Sequence, residues 1–446
     1  MRAGWATADI TPPLGVAMGG YLARPSGAVA IADRLSARAI VFADDQTAAA
    51  LVSLDLVGLA TDVVGKIRSR IEELTDLESL SVMVCCTHTH AGPLTFPFRG
   101  MGEIDEVYLS RVVESAASIV VEAVQCLQTA ALSYRRVGGV QIGVNRREDR
   151  NGRTVIGYNP NGPACDYAHV VLADCNDRSC ILFSHPCHPN VLGPENYNVS
   201  ADFAGAAVAH VEGQTGATAL FVNGACGDIN PRIKGAPEGV AMLGAELGEA
   251  VASGAESARP LADGEIVSVS RVLQLPLVAP PARSQLAVER LVLKLKMGLV
   301  TISGGDVSSQ LAMQGQLDWA EEMLAVIRSS DGARTQRFEI QAVKLGPLVL
   351  LGMEGEMFVR YQLDLEAAEQ SGPVILCGYA NGCIGYVPTA DEYVRGGYEV
   401  GSGKYNFKVT AGIEAYKVYP TVQMISPDSE GLITEGARTL LTLVRH

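Results

Sequence analysis

The sequence predicts an α/β fold, with mixed β-sheet layers flanked by helices. Three observations carry this reading. Short apolar runs of strand length alternate with longer stretches of helical spacing. Some runs, such as Val82–Cys86, are apolar at every position, as in strands covered on both faces. Charged residues make up 19% of the chain and hydrophobic residues 48%, enough for a large core and against long disordered regions.

The elements follow in order. Ala37–Phe42 and Ala48–Leu54 read as strands around a turn at Asp44-Asp45, and Asp62–Glu73 as the next helix. After Val82–Cys86, the apolar residues Val112, Val113, Ala116, Ile119, Val120, Ala123, Val124 and Leu127 recur at helical spacing. Val170–Ala173, Ile181–Phe183 and Ala219–Val222 repeat the short-strand pattern, and Asp202 is placed to cap a helix running through His210. Glu265–Leu275 and Phe338–Leu345 are strands on either side of a helical insert, 279–334. Its helices are Ser284–Lys296 and Gln314–Arg328, divided by a loop at Ser303-Gly304-Gly305. The insert suits a lid or a packing element. Leu348–Leu351 and Val374–Gly378 are further strands with the helix Met357–Glu369 between them, and Glu430–Leu443 is a closing helix. No internal repeat or low-complexity linker is visible. Residues 1–446 therefore read as one domain, with 1–260 and 261–446 as subdomains divided near Arg259-Pro260.

The net charge is −14 and there is no basic cluster, a poor match to nucleic acid or an anionic membrane. No apolar run reaches the ~18 residues of a membrane span. Met1–Ala6 does not open a signal peptide. The expectation is a soluble cytoplasmic protein that acts on a small molecule, with a homo-oligomer left open. The ten cysteines include no Cys-x-x-Cys pair, and Cys85 and Cys86 lie in an apolar run; they read as reduced, mostly buried thiols.

Four of the seven histidines sit in Thr87-His88-Thr89-His90 and His185-Pro186-Cys187-His188. Each stretch leaves a buried strand. His88 and His90, two apart, point to one side of an extended segment. Pro186 and Pro189 stiffen the second stretch. Imidazoles gathered at strand exits suit a metal centre. Zinc takes neutral imidazoles, usually an oxygen ligand, and leaves a position for water that ionises near neutral pH. Glu354 and Glu356 both follow Leu348–Leu351, and spacing does not choose between them. The loop Asn223–Pro231 carries Gly224 and Gly227, whose amides can approach a ligand or donate to an oxyanion. It lacks the Gly-Lys-Ser/Thr of a phosphate-binding loop.

Taken together, these segments resemble the catalytic domain of the neutral (non-lysosomal) ceramidases, zinc amidases that cut the N-acyl bond of ceramide. The resemblance runs from Gly4–Pro13 to about Tyr398. It rests on Thr87–Pro93, Ser184-His185-Pro186, Asn223–Asp228, Gly355-Glu356 and Asn381–Thr389. It implies zinc held by His88, His185, Glu356 and Tyr386, and catalytic roles for His90, Arg146 and Tyr398. Gly227, Asp228 and Asn230 fall in the substrate-binding loop. His188 is an addition to the family pattern, able to serve the substrate or, with Asp202, a second metal. Asn230 stands where the family has a serine proposed as nucleophile, so this loop supplies no covalent nucleophile. The expected reaction is attack by metal-activated water on an amide of a small N-acyl or lactam compound. His90 or His188 is placed to move protons to the leaving amine. A zinc esterase or lactonase, and a non-catalytic ligand-binding protein on the same scaffold, are the other two readings. The expectation is a catalytic domain without the family's C-terminal β-sandwich, which weakens the case for ceramide itself as the substrate.

Overall fold

Three sheets are built in the same way. In each, three strands run antiparallel in chain order, a helix follows, and a fourth strand returns parallel to the third. The first set is Arg2–Asp9, Ser36–Ala43, Ala48–Leu54, the helix Thr61–Leu74 and Val82–Cys86. The second is Ala131–Gly138, Tyr167–Asp174, Ser179–His185, the helix Asp202–Thr215 and Thr218–Asn223. The third is Ile266–Pro276, Thr335–Leu345, Leu348–Met353, the helix Val359–Ala368 and Val374–Cys377. A parallel return needs a crossover, so a helix recurs at the same point in each set. The computed structural model describes residues 1–446 apart from 23, 79–80, 303, 305–306, 330–333 and 401–413.

The parallel strands are short and buried, and their exits close on one another. Cys86 N donates to Tyr379 O at 3.3 Å, and Gly378 N donates to Asn223 O at 2.9 Å. Asn223 Nδ2 completes the ring by donating to Thr87 O at 3.0 Å. Trp5, Phe42, Met83, Leu182, Val222, Leu350 and Ile375 form one core shared by all three sheets. The helices cover the outer faces. Glu106–Gln125 packs on Thr61–Leu74, Pro237–Glu256 on Asp202–Thr215, and Ser429–Arg445 on Ile266–Pro276. Ligands in α/β sheets gather at the carboxyl ends of parallel strands. Here three such ends meet.

The insert forms two packed helices, Arg283–Ile302 and Val307–Arg328, both longer than the pattern predicts. Ser303 and Gly305 of its expected loop lie outside the described residues. Leu286, Trp319 and Met323 anchor the insert to Tyr416 and Met424. Trp319 Nε1 also donates to Val422 O at 2.9 Å.

Asp202 does not cap its helix. Ala201 is the N-cap, and Asp202 is the first helical residue, with φ 56° and its own carboxylate taking Phe203 N at 2.7 Å. The strand Gly143–Asp149 escaped the sequence pattern because Arg146 and Arg147 interrupt it, yet both are buried. All ten cysteines are free and nine are buried. Among the described residues, no helix is long and apolar enough to cross a membrane.

Candidate metal centre

His88 lies just beyond Val82–Cys86 with φ 71°, a left-handed conformation that is uncommon for non-glycine residues. Its Nδ1 is 2.5 Å from Val57 O. A proton on Nδ1 satisfies that carbonyl and leaves the Nε2 lone pair free. His188 follows the Pro186 turn beyond Ser179–His185. Its Nδ1 faces Cys226 O at 2.6 Å and Ile229 O at 3.0 Å, which fixes the same tautomer. Glu356 opens the two-residue strand Glu356–Met357, which pairs parallel with Tyr386–Val387 so that Glu356 sits opposite Tyr386.

These pieces converge. Glu356 Oε2 lies 3.4 Å from His88 Nε2 and 3.2 Å from His188 Nε2. His90 Nε2 lies 3.1 Å from His88 Nε2. Donors on a tetrahedral zinc at 2.0–2.1 Å stand roughly 3.3 Å apart, so this spacing fits the metal. His88, His90 and His188 are the one group of potential metal-holding His, Cys, Asp or Glu donors among the described residues.

The electrostatics agree with the spacing. Burial, with the Arg146 guanidinium beside it, pushes His188 down to about 3. Burial and the neighbouring imidazole of His88 hold His90 well below its ordinary value. Burial would raise the Glu356 carboxyl, but His88 and His188 outweigh it and hold the group below the carboxylate range. Burial thus favours the neutral imidazole at His90 and His188, the donor state that a divalent cation takes.

A second ring of groups holds this arrangement. Tyr379 stacks on His88 with ring centroids 4.0 Å apart and 18° between planes. Its hydroxyl donates to Glu356 Oε2 at 3.3 Å and lies 3.2 Å from Cys226 Sγ. The Tyr419 hydroxyl donates to Glu356 Oε1. Partners of this kind orient ligands, and their loss typically weakens metal binding by about 10–100-fold. Tyr379→Phe is therefore expected to weaken metal binding by about that factor in a chelator-competition titration, with the fold intact.

The residues singled out in sequence divide. His185 does not join the group. It is the last residue of its strand, paired with Asn223, and its Nδ1 is 2.9 Å from Tyr167 O. The structure brings in His188 instead, because the Pro186 turn carries it past the strand end. Asp202 is also elsewhere, its carboxylate taking Phe203 N and Leu192 N, which removes the basis for a second metal shared with His188. Glu354 is occupied by Thr61, Arg337 and Glu339 N.

Gly227 and Asp228 brace the site rather than face ligand. A Cβ on Gly227 would come within 2.5 Å of Glu356 O, so only glycine lets this loop touch the Glu356 strand. Asp228 accepts Val359 N and Asn145 Nδ2, each at 2.8 Å, and burial pushes its carboxyl up to about 7.

Beside the histidines lies a cavity of about 200 Å³. His88, His90, Arg146, Asn190, Asn230, Lys234, Tyr386 and Tyr398 supply most of its polar wall, and Leu22, Phe98 and Met101 part of its apolar wall. No serine, threonine or cysteine lines it among the described residues. Arg146 is buried, with Nε on Glu399 Oε1 at 2.8 Å and Nη1 3.3 Å from His188 Nε2. Asn230 Oδ1 faces Arg146 Nη1 at 3.5 Å. The Tyr398 ring meets the Tyr386 ring edge-on at 5.8 Å. Sequence reasoning missed Tyr379, Tyr419 and Glu399. Only the neighbours of Tyr379 and Glu399, Asn381 and Tyr398, carried any signal.

Comparison with known proteins settles the family. The sequence model described as neutral/alkaline non-lysosomal ceramidase, N-terminal, matches residues 1–243, more than half of the chain. The chain belongs to the neutral/alkaline non-lysosomal ceramidase family. Among solved structures, a neutral ceramidase from Pseudomonas aeruginosa superposes with a TM-score of 0.69 at 22% identity, over 91% of this chain and 71% of that one. A ceramidase complexed with C2 superposes with a TM-score of 0.71 at 19% identity, over 97% and 73%. At these identities the likeness establishes the shared mixed α/β fold. No curated protein sequence matches the chain. Family membership makes this a ceramidase-like hydrolase.

Proposed function

We propose that this ceramidase-family chain is a zinc-dependent amidohydrolase that cleaves a small N-acyl or lactam substrate with water as the nucleophile. The observation that carries the proposal is a cavity bordered by His88, near His188 and Glu356, with no serine, threonine or cysteine on its described wall. His88, His188 and Glu356 would hold the metal, with Tyr386 beside Glu356 as a fourth donor. When bound, zinc would polarise the substrate carbonyl and lower the pKa of a water.

The chain's own groups divide the remaining work. His90 has no hydrogen-bond partner at Nδ1, unlike His88 and His188. It lacks the outer contact that usually orients a metal ligand, and suits a proton carrier to the leaving nitrogen. Burial keeps it neutral. Glu399 aims Arg146 into the cavity, where the guanidinium can bind a substrate oxygen. Burial keeps the Tyr398 phenol protonated, so it can donate to a developing oxyanion. Asn230, in place of a nucleophile, offers an amide. The cavity volume favours a small acyl or lactam group over a long chain.

The test is elemental analysis of purified protein together with a matched panel of amides, lactams, esters and lactones. One zinc per chain, and chelator-sensitive turnover of amides, is the expected result. Turnover confined to esters, or bound zinc with no hydrolysis of anything, would refute the amidase reading.

A further inference from the structure

The wall of the cavity beside the histidines holds polar groups with nothing to bind. Arg146 Nη2 and Asn190 Oδ1 are buried there without a hydrogen-bond partner. Lys234 lines the same cavity and makes no ion pair among the described residues. Asp202 attracts it electrostatically, but that carboxylate is already held by Phe203 N and Leu192 N. A buried donor or acceptor left unmet costs free energy, and a ligand that completes it recovers that cost.

The wall is also of one sign. The chain carries a net charge of −14, yet no aspartate or glutamate lines this cavity among the described residues. Glu356 belongs to the metal site. Glu399 does not neutralise Arg146 outright, because Arg146, Arg147 and Arg395 share the two carboxylates of Glu392 and Glu399. Arg24 stands behind His90, donating to His90 O and Gly19 O, each at 2.9 Å, and adds a further cation. Lys234 keeps an exposed surface, but the protein packed around it, and then the Arg146 charge, push it down to about 8. An anion entering here meets attraction from every charged group on the wall.

We infer that the cavity takes an N-acyl amino acid, with the carboxylate of the amino-acid half paired to Lys234. The carboxylate supplies the acceptor that the ammonium lacks, and the amide oxygen can take Arg146 Nη2. The amide N–H can donate to Asn190 Oδ1. An N-acyl amino acid presents these groups together, since its carboxylate stands one carbon from the amide nitrogen. A neutral amine half would leave Lys234 unpaired. Position assigns the carboxylate to the leaving half. The Lys234 charge reaches His90, the residue suited to protonate the leaving nitrogen. Leu22, Phe98 and Met101 remain for the acyl half. Water adds across the C–N bond: the acyl carbon keeps the hydroxyl, and the amino-acid nitrogen takes the proton. The inference rests on the amidase reading and narrows its substrate class.

The test compares N-acetyl-leucine with N-acetyl-leucinamide, which differ only where the carboxylate becomes a neutral amide. Titration calorimetry on the full chain should show the acid binding about tenfold or more tighter, and kcat/KM for release of the acetyl group should favour it by a similar factor. Lys234→Met should bring both ratios close to one, and Lys234→Arg should keep most of each, with thermal melts run on both variants to check folding. Equal binding of the two probes, no binding of either, or a preference that Lys234→Met retains would overturn the proposal. Lys234-dependent binding of the acid with no turnover of either probe would instead sink the amidase reading and leave the carboxylate site standing.

Discussion

Purified His188→Ala should lose its zinc, while His185→Ala should keep it. The two residues are three apart in one motif, and sequence alone prefers His185. Their surroundings separate them. His188 Nε2 is 3.2 Å from the Glu356 carboxylate, whereas His185 is turned to Tyr167 O. Removing a direct ligand should cost more than the roughly 10–100-fold typical of an outer partner, and activity should fall by about 10³-fold or more. His185→Ala should instead cost about 1–3 kcal/mol of stability, from the lost hydrogen bond and the space left behind. Burial pushes His185 down to about 4 in the folded chain, against an ordinary 6.5. Its folded form is therefore neutral, and its stabilising contribution is full above the unfolded value. That contribution fades as pH falls from 6.5 through about 4, because the unfolded chain takes up the proton first. The stability gap between wild type and His185→Gln should narrow over that range in denaturant melts. Equal zinc loss in the two alanine variants would contradict the assignment.

Glu399→Gln should produce the largest loss of stability of any single exchange near the cavity. Glu399 accepts Arg146 Nε and also pairs with Arg147, and all three side chains are buried. Arg147 keeps Glu392 at 2.8 Å, whereas among the described residues Glu399 is the one ion-pair partner of Arg146. Stripping the carboxylate from a buried cation costs about 3–5 kcal/mol. It also frees Arg146 from the position that aims it at the cavity, so kcat/KM should drop by about 10²-fold. Adding Arg146→Met removes the orphaned charge and should restore much of the stability, but not the activity. Urea melts and kinetics on the single and double variants check both parts. Full recovery of activity in the double variant would make the pair a packing device only.

Much of the scaffold was legible because strands and helices write themselves in nearby residues. Ala48–Leu54 and Val82–Cys86 coincide with the expected runs, and the helix at Thr61–Leu74 is one residue longer at each end than expected. The threefold recurrence of one strand order was not legible. It resides in connection and direction, which unrelated residues satisfy equally well.

The sequence by itself determined which residue types leave the strands: His88 and His90, His185 and His188, Glu354 and Glu356. Local spacing sets those choices, since side-chain direction along a strand or turn depends on a few neighbouring residues. Tertiary structure decided which of each pair meets the others. It chose His188 over His185 through the Pro186 turn, and it set Glu356, which the family resemblance already preferred to Glu354, opposite Tyr386. It also brought Tyr379 and Tyr419 to the carboxylate. Distances between groups tens to hundreds of residues apart follow from how three sheets close on one core, and no local pattern encodes them.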